Sequence, residues 1–291
     1  MPNSNFFHVD VFATQPLTGN GLAVFLHTEG SSDAAMQRIT QEMKQFESIF
    51  LSEVSATGAS ARVFTVEEEL PFAGHPVLGA AAVLHRHLAP AAARCSWVMR
   101  LAAGDIAVTT DRLGDHHRAE MNQGIAVFGE SIAPADLQPI LMRLGLQAHD
   151  LLPGAPPQVV STGLPYLILP ARPEALARAA INGLDLEDLL DAVGAKFVLV
   201  LDAAGREIRT WDNLGKVEDV ATGSAAGPTA AYLFALGLAD PRQALELVQG
   251  RFAGRSSRLT ARQDEERCVL VSGEVWPVLQ GSLDLAQITA D

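Results

Sequence analysis

Residues 64–79, FTVEEELPFAGHPVLG, are the stretch around which the rest of the chain is organised. The apolar start predicts a strand, and the run rich in alanine, leucine and valine at residues 77–88 predicts a helix. Gly74 should supply the backbone freedom and close approach of the turn between them, and Pro76 suits a first helical turn. Backbone N–H groups near Gly74 and His75 should therefore point out of a helix N-terminus, which is a site for an anion.

A second copy of this arrangement occurs at residues 218–227, EDVATGSAAG. When Gly74 is aligned with Gly223, His75 falls on Ser224. Upstream, RVF at residues 62–64 matches RTW at residues 209–211, with spacings to the glycine that differ by two residues. TGNGLAVFL at residues 18–26 likewise matches TGLPYLIL at residues 162–169. Short matches in the same order predict a duplicated unit, whose two halves could bring two helix N-termini to one cleft.

The composition limits the class of partner. A chain of 291 residues can bury a large core, as one large domain or two smaller ones, and its formal charge is −13. This acidity argues against a nucleic-acid backbone or an anionic membrane as partner, because both require clustered Lys and Arg. An anionic small molecule remains compatible with the charge, since local dipoles can bind it.

Location and cofactors are also constrained by the sequence. Cys95 and Cys268 form neither a disulfide framework nor a metal pattern, and we find no secretory signal and no apolar stretch long enough for a membrane span. We therefore expect a soluble, cytoplasmic protein. Dinucleotide and phosphate-loop fingerprints and metal-ligand spacings are absent, which predicts no cofactor and no metal. His85 and His87 should face different sides of a helix, and His116–His117 should lie in an exposed polar loop.

Strands and helices are mixed along the chain with many hairpins, which favours an α+β fold. We place the boundary between halves near residues 120–130, giving an N-terminal half of residues 1–122 and a C-terminal half of residues 123–291. Residues 159–169 open the second half. Predicted strands cover residues 6–13, 22–26, 61–65, 96–110 (a hairpin around Gly104–Asp105), 118–122, 197–201, 207–211, 245–250, 257–262, 268–273 and 274–279. Predicted helices cover residues 34–44, 77–88, 135–144, 175–180, 186–193 and 225–236.

Glu47 is the first candidate for chemistry. It is a carboxylate flanked by Phe46, Ile49 and Phe50, where a helix gives way to an apolar strand. A carboxyl group buried among such neighbours should have a raised pKa, which suits a general acid or base near neutral pH. The alternative is a partly exposed carboxylate at a helix end.

His75, Asp219 and Ser224 also have two interpretations each. His75 is either a structural turn residue or a titratable group that the helix dipole keeps neutral. Asp219 either caps the second helix or pairs with Arg209, or it is a second carboxylate facing Glu47. Ser224 is either an N-cap or a donor to a substrate carboxylate. A Ser224–His75–Asp219 hydrolase is conceivable, but no Gly-x-Ser-x-Gly elbow supports it.

Eight short segments follow one another over nearly the whole chain: VDVF at 9–12, GN at 19–20, ESIFL at 47–51, RVFT at 62–65, FAGHP at 72–76, EDVATGSA at 218–225, QG at 249–250 and GR at 254–255. In these segments and in their order, the sequence resembles the PhzF-like isomerases of phenazine biosynthesis, which share the diaminopimelate-epimerase fold.

This resemblance implies two pseudo-symmetric halves, each a curved, mostly antiparallel sheet around a central helix, with the last strand able to return to the first half. It implies a cofactor-independent, biosynthetic isomerase that moves a proton between carbons of a small carboxylic acid, and a homodimer. The catalytic residues it implies are Glu47, His75 and Asp219, and the substrate-binding residues are Gly74, Gly223 and Ser224.

The chain departs from the family pattern at Lys44–Phe46, where small polar residues are more common, and at Val220, which replaces a frequent proline. Cysteine-based relatives of the fold carry a thiol at each turn, whereas Cys95 and Cys268 lie elsewhere in this sequence. A two-thiol racemase is therefore disfavoured. Two alternatives stay open: an epimerase acting at the same site, and a non-catalytic protein that binds a small molecule.

Overall fold

The computed structural model describes residues 4–183, 186–215 and 217–283. Contacts between residues divide the chain into two compact units, Met1–Asn122 with Ser272–Asp291, and Gln123–Val271. Each unit combines a largely antiparallel sheet with a buried helix, so the fold is α+β. No helix in these described stretches combines the length and hydropathy needed to cross a membrane.

The elements of the first unit cover most of its described residues. Its helices are α1 (Asp33–Met43) and α2 (Gly74–Leu88), and its strands are β1 (Ser4–Val11), β2 (Asn20–Leu26), β3 (Glu47–Ser55), β4 (Gly58–Thr65), β5 (Glu69–Leu70), β6 (Arg94–Leu101), β7 (Gly104–Leu113) and β8 (His116–Ile125), the last of which runs past the unit boundary.

The second unit continues with shorter elements. In chain order they are β9 (Val127–Ser131), α3 (Pro134–Arg143), a 3-10 turn (Ala148–Asp150), β10 (Gln158–Ser161), β11 (Pro165–Pro170), α4 (Pro173–Arg178), α5 (Leu186–Asp191), β12 (Phe197–Asp202), β13 (Glu207–Thr210), α6 (Gly223–Ala235), β14 (Leu245–Gln249), β15 (Ser257–Gln263) and β16 (Cys268–Leu283), which begins here and ends in the first unit.

Helix α2 is the centre of the first unit. The strands follow the order β1-β2-β3-β4-β6-β7-β8, and β16 pairs with both β8 and β1, so the sheet closes around the helix. Helix α2 contacts β1, β2, β3, β4, β6 and β7, and it is buried from Gly74 to His85 because it is apolar on nearly every side. A methyl group at Gly79 would collide with Leu22, so glycine permits this close contact between helix and strand.

Helix α1 packs on the other face of β2, β3 and β4. It begins at Asp33, one residue before the predicted start, with Ser32 as N-cap accepting a hydrogen bond from the Ala35 N–H at 3.2 Å. Its buried face packs against aromatic rings, and the Phe25 and Phe50 rings stack with centroids 4.8 Å apart. This layer fixes β3, the strand that begins at Glu47.

In the second unit, α6 takes the central position. Neighbouring strands of its sheet follow the order β9-β10-β11-β12-β13-β14-β15, and α6 contacts β10, β11 and β15. Helices α3, α4 and α5 belong to a separate apolar cluster against this sheet, built around residues such as Leu144, Leu176 and Leu190. Helix α6 begins within the turn predicted at residues 218–224.

The predicted duplication is visible in the strand pairing. The succession antiparallel, parallel, antiparallel, parallel joins β1-β2-β3-β4-β6, and it recurs in β10-β11-β12-β13-β14. In the first copy Arg62 donates to Glu69 through Nε and Nη2, at 2.7 and 2.5 Å. In the second copy Arg209 donates to Glu218 in the same way, at 2.9 and 2.6 Å.

Several local predictions require correction. The two closing strands predicted at residues 268–273 and 274–279 form one strand, β16, because neither Gly273 nor Glu274 interrupts its pairing. His116–His117 do not form an exposed loop: both lie on β8, His117 is buried, and the His116 ring stacks on Trp276 at 3.8 Å. His85 is buried and His87 exposed, as their spacing predicted.

Candidate active site

Glu47 and His75 lie side by side in the interior of the first unit. Glu47 is the first residue of β3, paired with Leu22 on β2 and with Thr65 on β4. His75 is the second residue of α2, the helix that these strands surround. The Nδ1 atom of His75 is 3.3 Å from Oε2 of Glu47, and both residues are buried, with exposed fractions of 4% and 6%. The structure therefore places a carboxyl group against an imidazole, away from bulk water.

The His75 ring is neutral at pH 7. Burial lowers the pKa of His75 to about 3, because a charged imidazolium would lose its hydration. The helix dipole, from which the sequence predicted a neutral ring, acts in the same direction. The contact with Glu47 is thus made by an uncharged ring. The other ring nitrogen, Nε2, is buried without a hydrogen-bond partner in the described part of the chain.

The start of α2 offers backbone donors beside this pair. Its N-cap is Ala73, which cannot cap with its side chain, and its first turn carries no acidic residue. The first N–H groups of a helix carry a partial positive charge and lack partners within the helix. Gly74 begins the helix without a positive φ, so the predicted need for unusual backbone freedom is wrong.

A hydrogen-bonded network shapes the second turn, before α6. The Asp219 carboxylate accepts hydrogen bonds from the Thr222 hydroxyl and, at 3.3 Å, from the Ala221 N–H. The Gln249 side chain donates to the Asp219 carbonyl at 2.9 Å and accepts from the Thr222 N–H at 2.9 Å. It also donates to Thr210 at 3.0 Å. Gln249 is 1% exposed, so this network fixes the turn in a dry environment.

Ser224 is the second residue of α6 rather than its N-cap, which is Thr222. The Ser224 hydroxyl lies 2.7 Å from the Tyr166 hydroxyl. The side chain of Gln123 donates to the Gly223 carbonyl at 3.0 Å. As in α2, the first turn of α6 has no side-chain cap and no acidic residue. The predicted pairing of Asp219 with Arg209 is wrong, because Arg209 binds Glu218.

Sequence reasoning missed the roles of Gln249 and Tyr166. In the sequence, Gln249 appears only in one short segment of the family resemblance, and Tyr166 appears only in the second copy of a repeat. Neither pattern indicates what the side chain contacts. Neither cysteine lies at a helix start, since Cys95 is on β6 and Cys268 on β16. Within the described residues, no group of three or more His, Cys, Asp and Glu side chains is arranged to hold a metal ion.

Together, these features define an α+β protein made of two copies of one sheet-and-central-helix unit, with a buried carboxyl–imidazole pair at the start of the first central helix. A sequence model of the family described as "Phenazine biosynthesis-like protein" matches residues 9–281. The chain therefore belongs to the phenazine biosynthesis-like, or PhzF, family, as the sequence resemblance predicted.

Known relatives agree with this assignment. A trans-2,3-dihydro-3-hydroxyanthranilate isomerase from Pseudomonas fluorescens is 34% identical over 268 residues, covering 89% of this chain and 90% of the relative. A solved structure described as a "predicted epimerase" from Pseudomonas aeruginosa is 50% identical, with a TM-score of 0.91, over 96% of this chain and 99% of that one. The protein is an isomerase of this family.

The fold alone is shared more widely. A probable proline racemase from Agrobacterium radiobacter superposes with a TM-score of 0.65 at 11% identity, over 97% of this chain and 93% of that one. The predicted diaminopimelate-epimerase-like α+β fold is thus confirmed.

Proposed function

We propose that this protein is a cofactor-independent isomerase in which Glu47 moves a proton between two carbons of a small carboxylic acid. The observation that carries the proposal is the buried contact between Glu47 and His75 at the start of α2. A base, a neutral imidazole and uncapped helix N–H groups meet at one point. These are the groups that proton abstraction next to a carboxylate requires.

The proposed reaction has two steps. The Glu47 carboxylate removes a proton from a carbon of the substrate, and the electron pair of that C–H bond spreads through the neighbouring double bond towards the substrate carboxylate. Backbone N–H groups at the start of α2 stabilise the negative charge that develops there. Protonated Glu47 then returns the same proton to a different carbon, so that the double bond moves and no atom is gained or lost.

We propose that His75 orients Glu47 and the substrate by hydrogen bonding and that its ring does not ionise. A ring with a pKa of about 3 stays neutral through the reaction, so it acts as a hydrogen-bonding group. Its Nδ1 faces Glu47, and its buried Nε2 is available to a polar group of the substrate. We further propose that Asp219 orients the substrate and that Gly223 and Ser224 bind its acid group.

The duplication favours isomerisation over two-base epimerisation. The pair Leu22–Glu47 on β2 and β3 corresponds by register to the pair Tyr166–Phe197 on β11 and β12. Phe197 therefore occupies in the second copy the place that Glu47 occupies in the first, and Phe197 cannot accept a proton. A single base can shift a proton between carbons, whereas inversion at one carbon usually needs an acid and a base on opposite faces.

Replacing Glu47 with Gln tests the proposal. The variant should fold and bind ligand, but lose turnover by about a thousandfold or more, because the amide cannot carry the proton. The matched control is Glu53→Gln, since Glu53 is an exposed carboxylate on the same strand. The substrate named for the Pseudomonas fluorescens relative, trans-2,3-dihydro-3-hydroxyanthranilate, is the first compound to test. Turnover that survives in Glu47→Gln would refute the role of Glu47.

The same assay in deuterium oxide separates the alternatives. Isomerisation moves a double bond and changes the ultraviolet spectrum, and deuterium enters at the newly protonated carbon only to the extent that protonated Glu47 exchanges with solvent before it returns the proton. Epimerisation leaves the spectrum unchanged and places deuterium at one stereocentre. A compound that binds wild type and Glu47→Gln equally, with no exchange in either, would instead identify a binding protein. The description of the Pseudomonas aeruginosa structure makes epimerisation the second candidate.

The quaternary structure also belongs to this proposal. The family resemblance predicts a homodimer, and sedimentation equilibrium tests it directly. The biosynthetic role and the cytoplasmic location stay predictions from the sequence.

A further inference from the structure

A cavity lies in the first unit, and its wall does not include Glu47 or His75. Its volume is about 280 Å³, and its walls come from β1, β16 and the C-terminal part of α2. Here the pairing of β1 with β16 is interrupted: His8 pairs with Leu279 but Val9 pairs with Pro277, leaving Val278 as an extra residue. Such a bulge locally disrupts the ladder of a sheet and is common beside binding sites.

His117 forms part of the wall of this cavity and is incompletely satisfied. It is only 4% exposed, and its Nε2 atom has no hydrogen-bond partner within the described residues. The neighbouring His85 ring, 4.6 Å away, has a partner at each nitrogen, with Thr110 at 2.8 Å and the Ala92 carbonyl at 3.1 Å. The structural role of His85 is therefore complete, whereas an unsatisfied buried nitrogen at His117 costs stability unless something binds it.

The surroundings of the cavity are positive, although the protein as a whole is acidic. Arg86 lines it and donates one hydrogen bond, at 3.3 Å, to the Asp115 carbonyl, so further guanidinium donors remain for a ligand. Burial is the main cause that lowers the pKa of His117, and the charges of His85, Arg86, His116 and Arg112 act in the same direction. The C-terminal end of α2 opposes these charges with its partial negative charge, and Arg86 in its last turn offsets it.

The rest of the wall is apolar. Val9, Val83, Val275 and Pro277 line it, and Phe7 contributes an aromatic ring. A cavity with an apolar body and a few converging polar groups is the usual form of a small-molecule site. An occupant with a flat or compact apolar part and one negative charge would satisfy both features.

We propose that this cavity is a second ligand site that takes a small organic anion with an apolar body, such as an aromatic carboxylate. The carboxylate binds the Arg86 guanidinium, His117 supplies a hydrogen-bonding nitrogen, and the apolar part packs on Val9 and Pro277. Arg86 is eleven residues beyond His75 on α2, or roughly 16 Å at the rise of an α-helix. The site is separate from the proposed active site and does not depend on the proposed function.

Benzoate is a suitable probe, read out by the ring signals of ¹⁵N-labelled histidines. The His117 signals should shift saturably with a Kd of about 1–10 mM, as expected of so small a ligand. Benzamide, which has the same shape without the charge, should bind at least about tenfold more weakly. Arg86→Gln should weaken benzoate binding by a similar factor.

Arg94→Gln is the matched control, because Arg94 is an exposed arginine outside the cavity wall. This variant should leave the His117 shifts unchanged. Shifts confined to His75 would mean that benzoate binds only at the proposed active site, and would overturn the second site. Shifts of His117 that are equal for benzoate and benzamide, or unaffected by Arg86→Gln, would overturn the assignment of an anion.

Discussion

Acidification should destabilise this protein through two buried histidines, His75 and His117. Burial lowers their pKa values to about 3 and about 4, whereas an unperturbed histidine titrates near 6.5. Between these values the unfolded chain binds protons that the folded protein excludes. Because stability rises with pH wherever the unfolded state binds more protons, the free energy of unfolding should fall as the pH drops below about 6.5.

The size of the effect at pH 5 follows from these values. For His75, RT ln(1 + 10^1.5) gives a loss of about 2 kcal/mol, and the result hardly depends on the folded pKa because that lies well below pH 5. His117 should add about 2 kcal/mol, since a folded pKa of about 4 reduces its loss at pH 5 by only about 0.1 kcal/mol. A combined loss of about 4 kcal/mol is a large part of the stability of a typical protein.

Urea denaturation between pH 7.5 and 5, followed by circular dichroism, measures this loss. His75→Asn and His117→Asn should each flatten the pH dependence by about 2 kcal/mol relative to wild type, whatever they do to stability at pH 7.5. His87→Asn is the control, because His87 is exposed on the same helix as His75. Carboxylates contribute equally to the pH dependence of unfolding in the variants and in wild type, so the difference between the two reports the histidine. If His75→Asn loses as much stability on acidification as wild type, the reasoning is refuted.

Two further predictions concern buried polar groups. Arg209→Met should cost about 3–5 kcal/mol, because it leaves the Glu218 carboxylate, which is only 15% exposed, without its partner. Arg62→Met should cost about 1 kcal/mol, because the Arg62–Glu69 pair is more exposed. Equal losses in urea denaturation would contradict the role of burial. Gln249→Leu should cost about 2–4 kcal/mol by removing several buried hydrogen bonds, and a Tm within about 2 °C of wild type would contradict this.

Local patterns predicted the fold well where local physics decides it. The helix predicted at residues 34–44 forms as α1 within one residue, and α6 ends before Gly237, whose φ is +69°. The hairpin predicted at residues 96–110 also forms, with its turn at residues 102–103 rather than at Gly104–Asp105. The duplication was also readable, because a copied unit keeps its glycines and apolar residues in order. Predictions failed where contacts between distant parts of the chain decide the outcome: His117 looked like part of a polar loop, but it lies on β8 and is buried near His85 of α2, with the ring centroids 4.6 Å apart.

The residues of the candidate site also fall into those that the sequence could predict and those that it could not. Glu47 stood out because a carboxylate among apolar residues is unusual, and the structure does bury it against His75. Gln249 could not be recognised, since its partners Thr222 and Thr210 lie 27 and 39 residues away in the sequence. The choice of Glu218 rather than Asp219 for Arg209 depends on which of two adjacent side chains faces β13, and a one-residue difference in a turn is not encoded in composition.

The path of β16 has a consequence for synthesis. The first unit needs residues 272–283 to close its sheet, yet these are made only after the whole of the second unit. At roughly 5–20 residues per second, the ribosome takes about 8–30 s to add the intervening 150 residues or so. During that time β1 and β8 lack the strand that joins them, and open strand edges invite pairing with other chains. A nascent or truncated chain that ends before residue 272 should therefore depend on chaperones, whereas the finished chain should not.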